Sequence, residues 1–191
     1  MDTDLQQLVS RPLLFTIFTL LNIMFSWMPL RKSRGHHGFY RFFVFEGVIA
    51  LSLINGAMGP TLSPFFLQNI SQLLKIISIV FVAAGFIRLR RFGGYAARSN
   101  FPENKAFENT SVLVTTGIYR YIRHPMYGAL LLIAWGVYLG YPTLPGTPIV
   151  VIVSIAMVMT AKVEEQENVA YFGSEYVEYM KRTKRFLPFI M

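Results

Sequence analysis

The sequence predicts an all-α, polytopic membrane protein with about five transmembrane helices, and three observations predict it. First, hydrophobic residues fill 53% of 191 positions and charged residues only 15%, whereas a soluble domain carries about a quarter charged residues; mean hydropathy is +0.44. Second, five apolar runs approach the ~20 residues that cross a bilayer core about 30 Å thick. Third, the 18 Lys and Arg residues gather on one side of those runs.

The first run is residues 12–30, "PLLFTIFTLLNIMFSWMPL". No small-residue cleavage site follows it and further runs do, so it reads as a retained span rather than a signal peptide. The second run covers 39–58 and the third 65–87. The fourth, 125–141, opens on Pro125, a residue favoured in the first helical turn. The fifth, 148–161, follows the short link "PTLPG", so the last two runs read as a tight antiparallel hairpin.

Every Lys and Arg except Arg11 and Lys75 falls after run one, after run three, or around and after the end of run five. The loops "GAMGPTLSP" and "YPTLPGTP" carry no charge. The positive-inside rule then puts the N-terminus outside and the C-terminus in the cytoplasm. The same bias explains most of the net charge of +8 without a nucleic-acid partner. There are no cysteines and only three histidines, so neither a disulfide nor a metal site is expected.

Three segments lie on the cytoplasmic side: 31–41, 88–124 and 162–191. The last two are too long to be mere connections. The chain therefore divides into a transmembrane region, 1–87, and a candidate functional region, 88–191. In the final segment Val169, Phe172, Tyr176 and Tyr179 recur at spacings of three and four, which gives a helix one apolar face. Glu164, Glu165 and Glu167 open it and Lys181, Arg182, Lys184 and Arg185 close it, an order that suits the helix dipole. It reads as a direct continuation of run five, and "FLPFIM" then returns an apolar tail towards the bilayer.

Four features can carry chemistry. In "RHPMY" the first turn after Pro125 offers backbone N–H groups and a dipole, an anion site at the membrane surface, with Arg123 and His124 beside it. Topology plus an ordinary helix start accounts for the same residues. Glu164 and Glu165 stand where run five leaves the membrane. They can bind a cation, accept from ribose hydroxyls or act as a base; helix-end electrostatics is the plainer reading. In "SVLVTTGIYRYIRHP" the short apolar piece 112–114 and a turn at Gly117 can line a pocket for a flat ligand, or simply pack at the interface. Finally, Glu46 and Lys75 lie inside runs two and three, at depths that allow a pair between helices; an intramembrane ionisable residue is a functional candidate by default. "FGGY" at 92–95 lacks the spacing of a dinucleotide fingerprint.

Taken in order, "SVLVTTGIYRYIRHPMYGALLLIAWG" and "EEQENVAYFGSEYVEYMKRTKRFLPFI" resemble the isoprenylcysteine carboxyl methyltransferases, integral membrane enzymes that use S-adenosylmethionine. The shared order is L-V-T-x-G-x-Y, then R-H-P-x-Y opening a helix, a helical hairpin, E-E, F-G-x-E-Y and a terminal L-P-F-I. It covers residues from about Asn100 onwards, and phospholipid N-methyltransferases share a looser version. The resemblance implies cofactor contacts at Leu113, Val114, Tyr119, His124, Pro125, Tyr127, Glu164 and Glu165, and at Asn104 in a stretch that aligns less closely. It implies S-adenosylhomocysteine as product, a lipophilic or prenylated acceptor in the bilayer, and an active site facing the cytoplasm. Ser111 stands where relatives often carry histidine. Thr160 stands near an arginine that relatives assign to the substrate, and Lys162 is the nearby cation. No catalytic base is assigned; Glu165 and Arg123 are the candidates. A carboxylate is already ionised at neutral pH, so its methylation asks mainly for alignment. Two other readings stay open: methylation of a phospholipid or another small amine or thiol, and a small transporter or lipid-binding protein built on Glu46 and Lys75.

Overall fold

A computed structural model of the chain describes residues 2–32, 36–56, 64–94 and 110–188. Among these the regular elements are all helical. They are α1 (Asp2–Lys32), α2 (His37–Gly56), α3 (Phe65–Phe92), a 3-10 turn (Gly117–Arg120), α4 (Pro125–Gly140), α5 (Gly146–Phe172) and α6 (Ser174–Arg182). Four of them, α1, α2, α3 and α5, are long and apolar enough to cross a membrane. The fourth expected run, α4, has 16 residues and so spans about 24 Å, less than a bilayer core.

The short helix is the most enclosed. Tyr127, Ala129, Leu132 and Ala134 of α4 are buried, and α2, α3 and α5 pack around it. The long helices instead turn apolar side chains outwards: Leu20 and Met24 of α1, Ile79 and Val80 of α3, and Ile152 and Ile155 of α5 are all exposed, as lipid-facing residues are. Association between such helices relies on small residues and hydroxyls rather than on a hydrophobic drive. Ser71 donates to the carbonyl of Gly136 at 2.6 Å and Ser78 to that of Ala129 at 2.9 Å, joining α3 to α4. Trp135 donates to Ser154 at 3.1 Å across the α4–α5 hairpin, and Thr143 Oγ1 accepts from Gly146 N–H at the start of α5. Val44, Leu51, Val150, Val153, Met157 and Phe186 are almost fully buried in the core where α2 meets α5.

Two expectations are corrected. The segment after run five is not one continuous helix: Gly173 takes φ +63° and separates α5 from α6, a left-handed conformation that costs glycine little. Glu46 and Lys75 do not pair. Glu46 accepts from Thr19 and Asn22 of α1, both at 2.9 Å, while Lys75 lies against Gly136 and Gly140 of α4. The two side chains serve different neighbours.

α2 and α5 approach closely at Gly47, where a Cβ would stand 2.1 Å from Val153 Cγ2. Gly47→Leu is expected to destabilise the bundle by about 1–3 kcal/mol through overpacking, read as a lower unfolding midpoint in detergent; an unchanged midpoint would show that α2 and α5 can part without cost.

Candidate functional site

The foot of α4 is built by the segment that leads into it. Gly117, at φ +65°, starts the 3-10 turn, and the chain then runs parallel to residues 184–185. Ile122 and Lys184 form a parallel bridge. Lys184 N–H donates to Tyr121 O at 2.9 Å, Arg123 N–H to Lys184 O at 2.8 Å, and His124 N–H to Arg185 O at 3.0 Å. Tyr179 OH donates to Tyr119 O at 2.7 Å. Gly128 makes room for this strap: a Cβ there would meet the carbonyl oxygen of Phe186 at 2.7 Å.

Charges then sort themselves around α5. Glu165 is nearly buried and its carboxylate takes Arg123 Nε at 2.8 Å and Arg185 Nη2 at 2.6 Å, with His124 Nε2 at 3.4 Å. The hydrogen bond to Glu165 holds the Arg185 guanidinium above its ordinary pKa. Arg123 also donates through Nη1 to Met180 O at 3.1 Å, to Thr183 O and to Thr183 Oγ1 at 3.3 Å, so it satisfies carbonyls at the end of α6. Glu164 lies about 100° further round the helix and faces the other way. Its Oε2 accepts from Tyr127 OH at 2.5 Å and its Oε1 stands 3.9 Å from His124 Nδ1. The His124 and Tyr127 rings stack, 10° from parallel with centroids 5.4 Å apart.

Beside these groups lies a cavity of about 290 Å³. Leu113, Val114, Tyr119, His124, Pro125, Tyr127 and Glu164 all line it, and so does Arg123. Seven of the sequence-proposed cofactor positions thus meet around one space. Glu165 and Lys162 do not line it; together they border a separate recess with Gln166, Val169 and Met180. Asn104 lies outside the described residues. The wall also includes residues that were not among the expected cofactor contacts: Phe25 of α1, Arg41 and Phe45 of α2, Val82 and Leu89 of α3, and Asn168, Tyr176 and Tyr179 further on. Asn168 was findable, since it stands four residues after Glu164 and so on the same helix face. Burial pushes the phenols of Tyr119, Tyr176 and Tyr179 above their ordinary pKa, and the negative charge of Glu164 adds to the shift at Tyr119 and Tyr176. All three therefore remain protonated donors at neutral pH.

Chemically the space offers the N-terminal end of α4 with a histidine, one carboxylate, tyrosine hydroxyls and apolar walls. That is a set able to hold a zwitterion and a flat ring together. Residues 66–175 match the family described as phospholipid methyltransferase. The chain is also similar to protein-S-isoprenylcysteine O-methyltransferase of Homo sapiens, 31% identical over 142 residues, which are 68% of this chain and 47% of the relative. The Mus musculus protein of the same name is 31% identical over 140 residues, with the same two shares. That of Xenopus laevis is 30% identical over 127 residues, 61% of this chain and 41% of its own. The chain spans about half the length of the curated relatives it matches.

The two adjacent acids predict opposite phenotypes. Glu165→Ala leaves two guanidinium groups without their carboxylate, and breaking such a buried pair costs about 3–5 kcal/mol. Glu164→Ala removes a side chain that is 28% exposed and is expected to leave the unfolding midpoint in detergent nearly unchanged. Equal losses of stability in the two variants would refute this division.

Proposed function

The chain belongs to the phospholipid methyltransferase family, and from that premise we propose that it is a membrane methyltransferase that uses S-adenosylmethionine and methylates the carboxylate of a lipophilic acceptor such as a C-terminal prenylcysteine. The observation that carries the reading is the convergence of Leu113, Val114, Tyr119, His124, Tyr127 and Glu164 on one cavity at the foot of α4. The donor set fits the cofactor. Its carboxylate suits the N-terminal end of α4 beside His124, its hydroxyls or ammonium suit Glu164, and its adenine suits the apolar wall of Leu113 and Val114. When bound it supplies an electrophilic methyl group on a sulfonium, and transfer to a carboxylate leaves an ester and a neutral thioether with no proton to place.

The chain's own residues then have a limited task. Glu165 holds Arg123 and the strap, and the strap holds the foot of α4. Tyr127 and His124 orient Glu164. The phenols of Tyr119, Tyr176 and Tyr179 donate without ionising, and the aromatic wall excludes water. Alignment alone can be worth several kcal/mol, about 7 or more in favourable cases. The Lys and Arg distribution supports a cytoplasmic position for this end of the bundle, and an acceptor tail would enter sideways from the bilayer. Lys162, which does not border the cavity, has no part in this reading.

The test is binding and transfer by the purified protein. S-Adenosylhomocysteine is expected to bind, and His124→Ala or Glu164→Ala to weaken it at least tenfold, with folding intact. A labelled methyl-transfer assay then compares an S-farnesyl cysteine analogue, phosphatidylethanolamine and a small amine. With a carboxylate acceptor the rate is expected to stay flat between about pH 6 and 9, since the group ionises near 4; with an amine it rises with pH as the free base forms. No binding of S-adenosylhomocysteine, or binding untouched by both substitutions, would defeat the proposal.

A further inference from the structure

The cavity has a second wall that the methyl-donor site does not use. We infer that Arg41 is the docking cation for the anionic group of an amphiphilic acceptor, and so a determinant of acceptor specificity. Calling that ligand an acceptor rests on the methyltransferase reading; the anion-binding role does not.

Arg41 lies one turn into α2, is 5% exposed and lines the cavity. Its guanidinium stands 5.7 Å from the centre of the Phe25 ring. Phe45, one turn further on the same face, packs edge-on against Phe25 at 6.3 Å. Val82 and Leu89, seven residues apart on α3, complete this apolar wall. A charge buried inside a membrane-spanning helix is expensive and marks a functional site by default. An arginine there offers a rigid fork of five donors, which matches a carboxylate or a phosphodiester and can be shared with a ligand.

The placement of Arg41 is fixed from α5. One turn earlier on α2, buried His37 has Nδ1 2.7 Å from Glu167 Oε2, and its backbone N–H donates to Glu167 Oε1 at 3.2 Å. Glu167 adjoins Asn168, which lines the cavity. This pair fixes the first turn of α2 against α5, and Arg41 lines the same cavity as Glu164. The helices that carry Arg41 and Phe25 expose apolar residues outwards, Phe43 and Leu21 among them. An amphiphile resting against them in the bilayer meets Arg41 with its polar end and Phe25 and Phe45 with the start of its tail.

Equilibrium binding to the protein in nanodiscs tests this. Two anionic probes, N-acetyl-S-farnesylcysteine and lysophosphatidylglycerol, are compared with uncharged counterparts, the N-acetyl-S-farnesylcysteine methyl ester and a monoacylglycerol. At least one anionic probe is expected to bind tenfold or more tightly than its uncharged counterpart, and the pair that shows the preference tells carboxylate from phosphodiester. Arg41→Gln should abolish the preference and Arg41→Lys keep part of it, with S-adenosylhomocysteine affinity within twofold of the unsubstituted protein in both. The lysine variant keeps the question decidable if the glutamine variant does not fold. No preference in the unsubstituted protein, or a preference that survives Arg41→Gln, overturns the inference. So does an equal loss of S-adenosylhomocysteine affinity, which would assign Arg41 to the cofactor. If the unsubstituted protein binds no S-adenosylhomocysteine, the methyltransferase reading falls, and the probe pairs still decide the role of Arg41.

Discussion

The Glu165 carboxylate is the constraint on which the site depends. It sits on α5, yet it holds Arg123 from the lead-in to α4 and Arg185 from the C-terminal strap. Two guanidinium groups in so enclosed a place need an anion, and two guanidinium groups around one carboxylate fix its direction. Arg123 passes the constraint on by taking the carbonyls at the end of α6. Three stretches far apart in sequence are thereby locked around the start of one helix. Because neighbouring residues on a helix point about 100° apart, fixing Glu165 outside the cavity leaves Glu164 free to face into it.

Much of the architecture was legible in the sequence, because a bilayer imposes lengths. Runs of apolar residues announce α1, α2, α3 and α5, and Pro125 announces where α4 begins. The motif order likewise brought Leu113, Val114, Tyr119, His124, Pro125, Tyr127 and Glu164 to one place. Neighbour identity was the part that composition could not supply. Helices that are apolar all round show no preferred face, so depth alone paired Glu46 with Lys75, while Thr19 and Asn22 of α1 are the actual partners of Glu46. The periodicity of Val169, Phe172, Tyr176 and Tyr179 runs unbroken through Gly173, and only the backbone reveals the turn there. Likewise "EE" reads as a unit in sequence and acts as two separate groups in space.

Arg41 shows the same limit from the other side. In sequence it is one more basic residue flanking a span, fully explained by topology. Only the folding of α2 onto α5, through His37 and Glu167 and the close contact at Gly47, brings it to the cavity wall. The cavity therefore draws on both sides of the boundary at residues 87 and 88.

The shortness of α4 fixes a level as well as a length. From the start of α5 at Gly146 to Glu164 is about 27 Å at helical rise, close to one hydrocarbon thickness, and α5 runs on for two more turns to Phe172. The foot of α4 is thus held near the plane where hydrocarbon gives way to head groups. A molecule anchored in the leaflet carries its own polar end at that plane. It need not be lifted out of the membrane to meet the cavity, and its rate of encounter follows its surface density in the leaflet rather than its concentration in water.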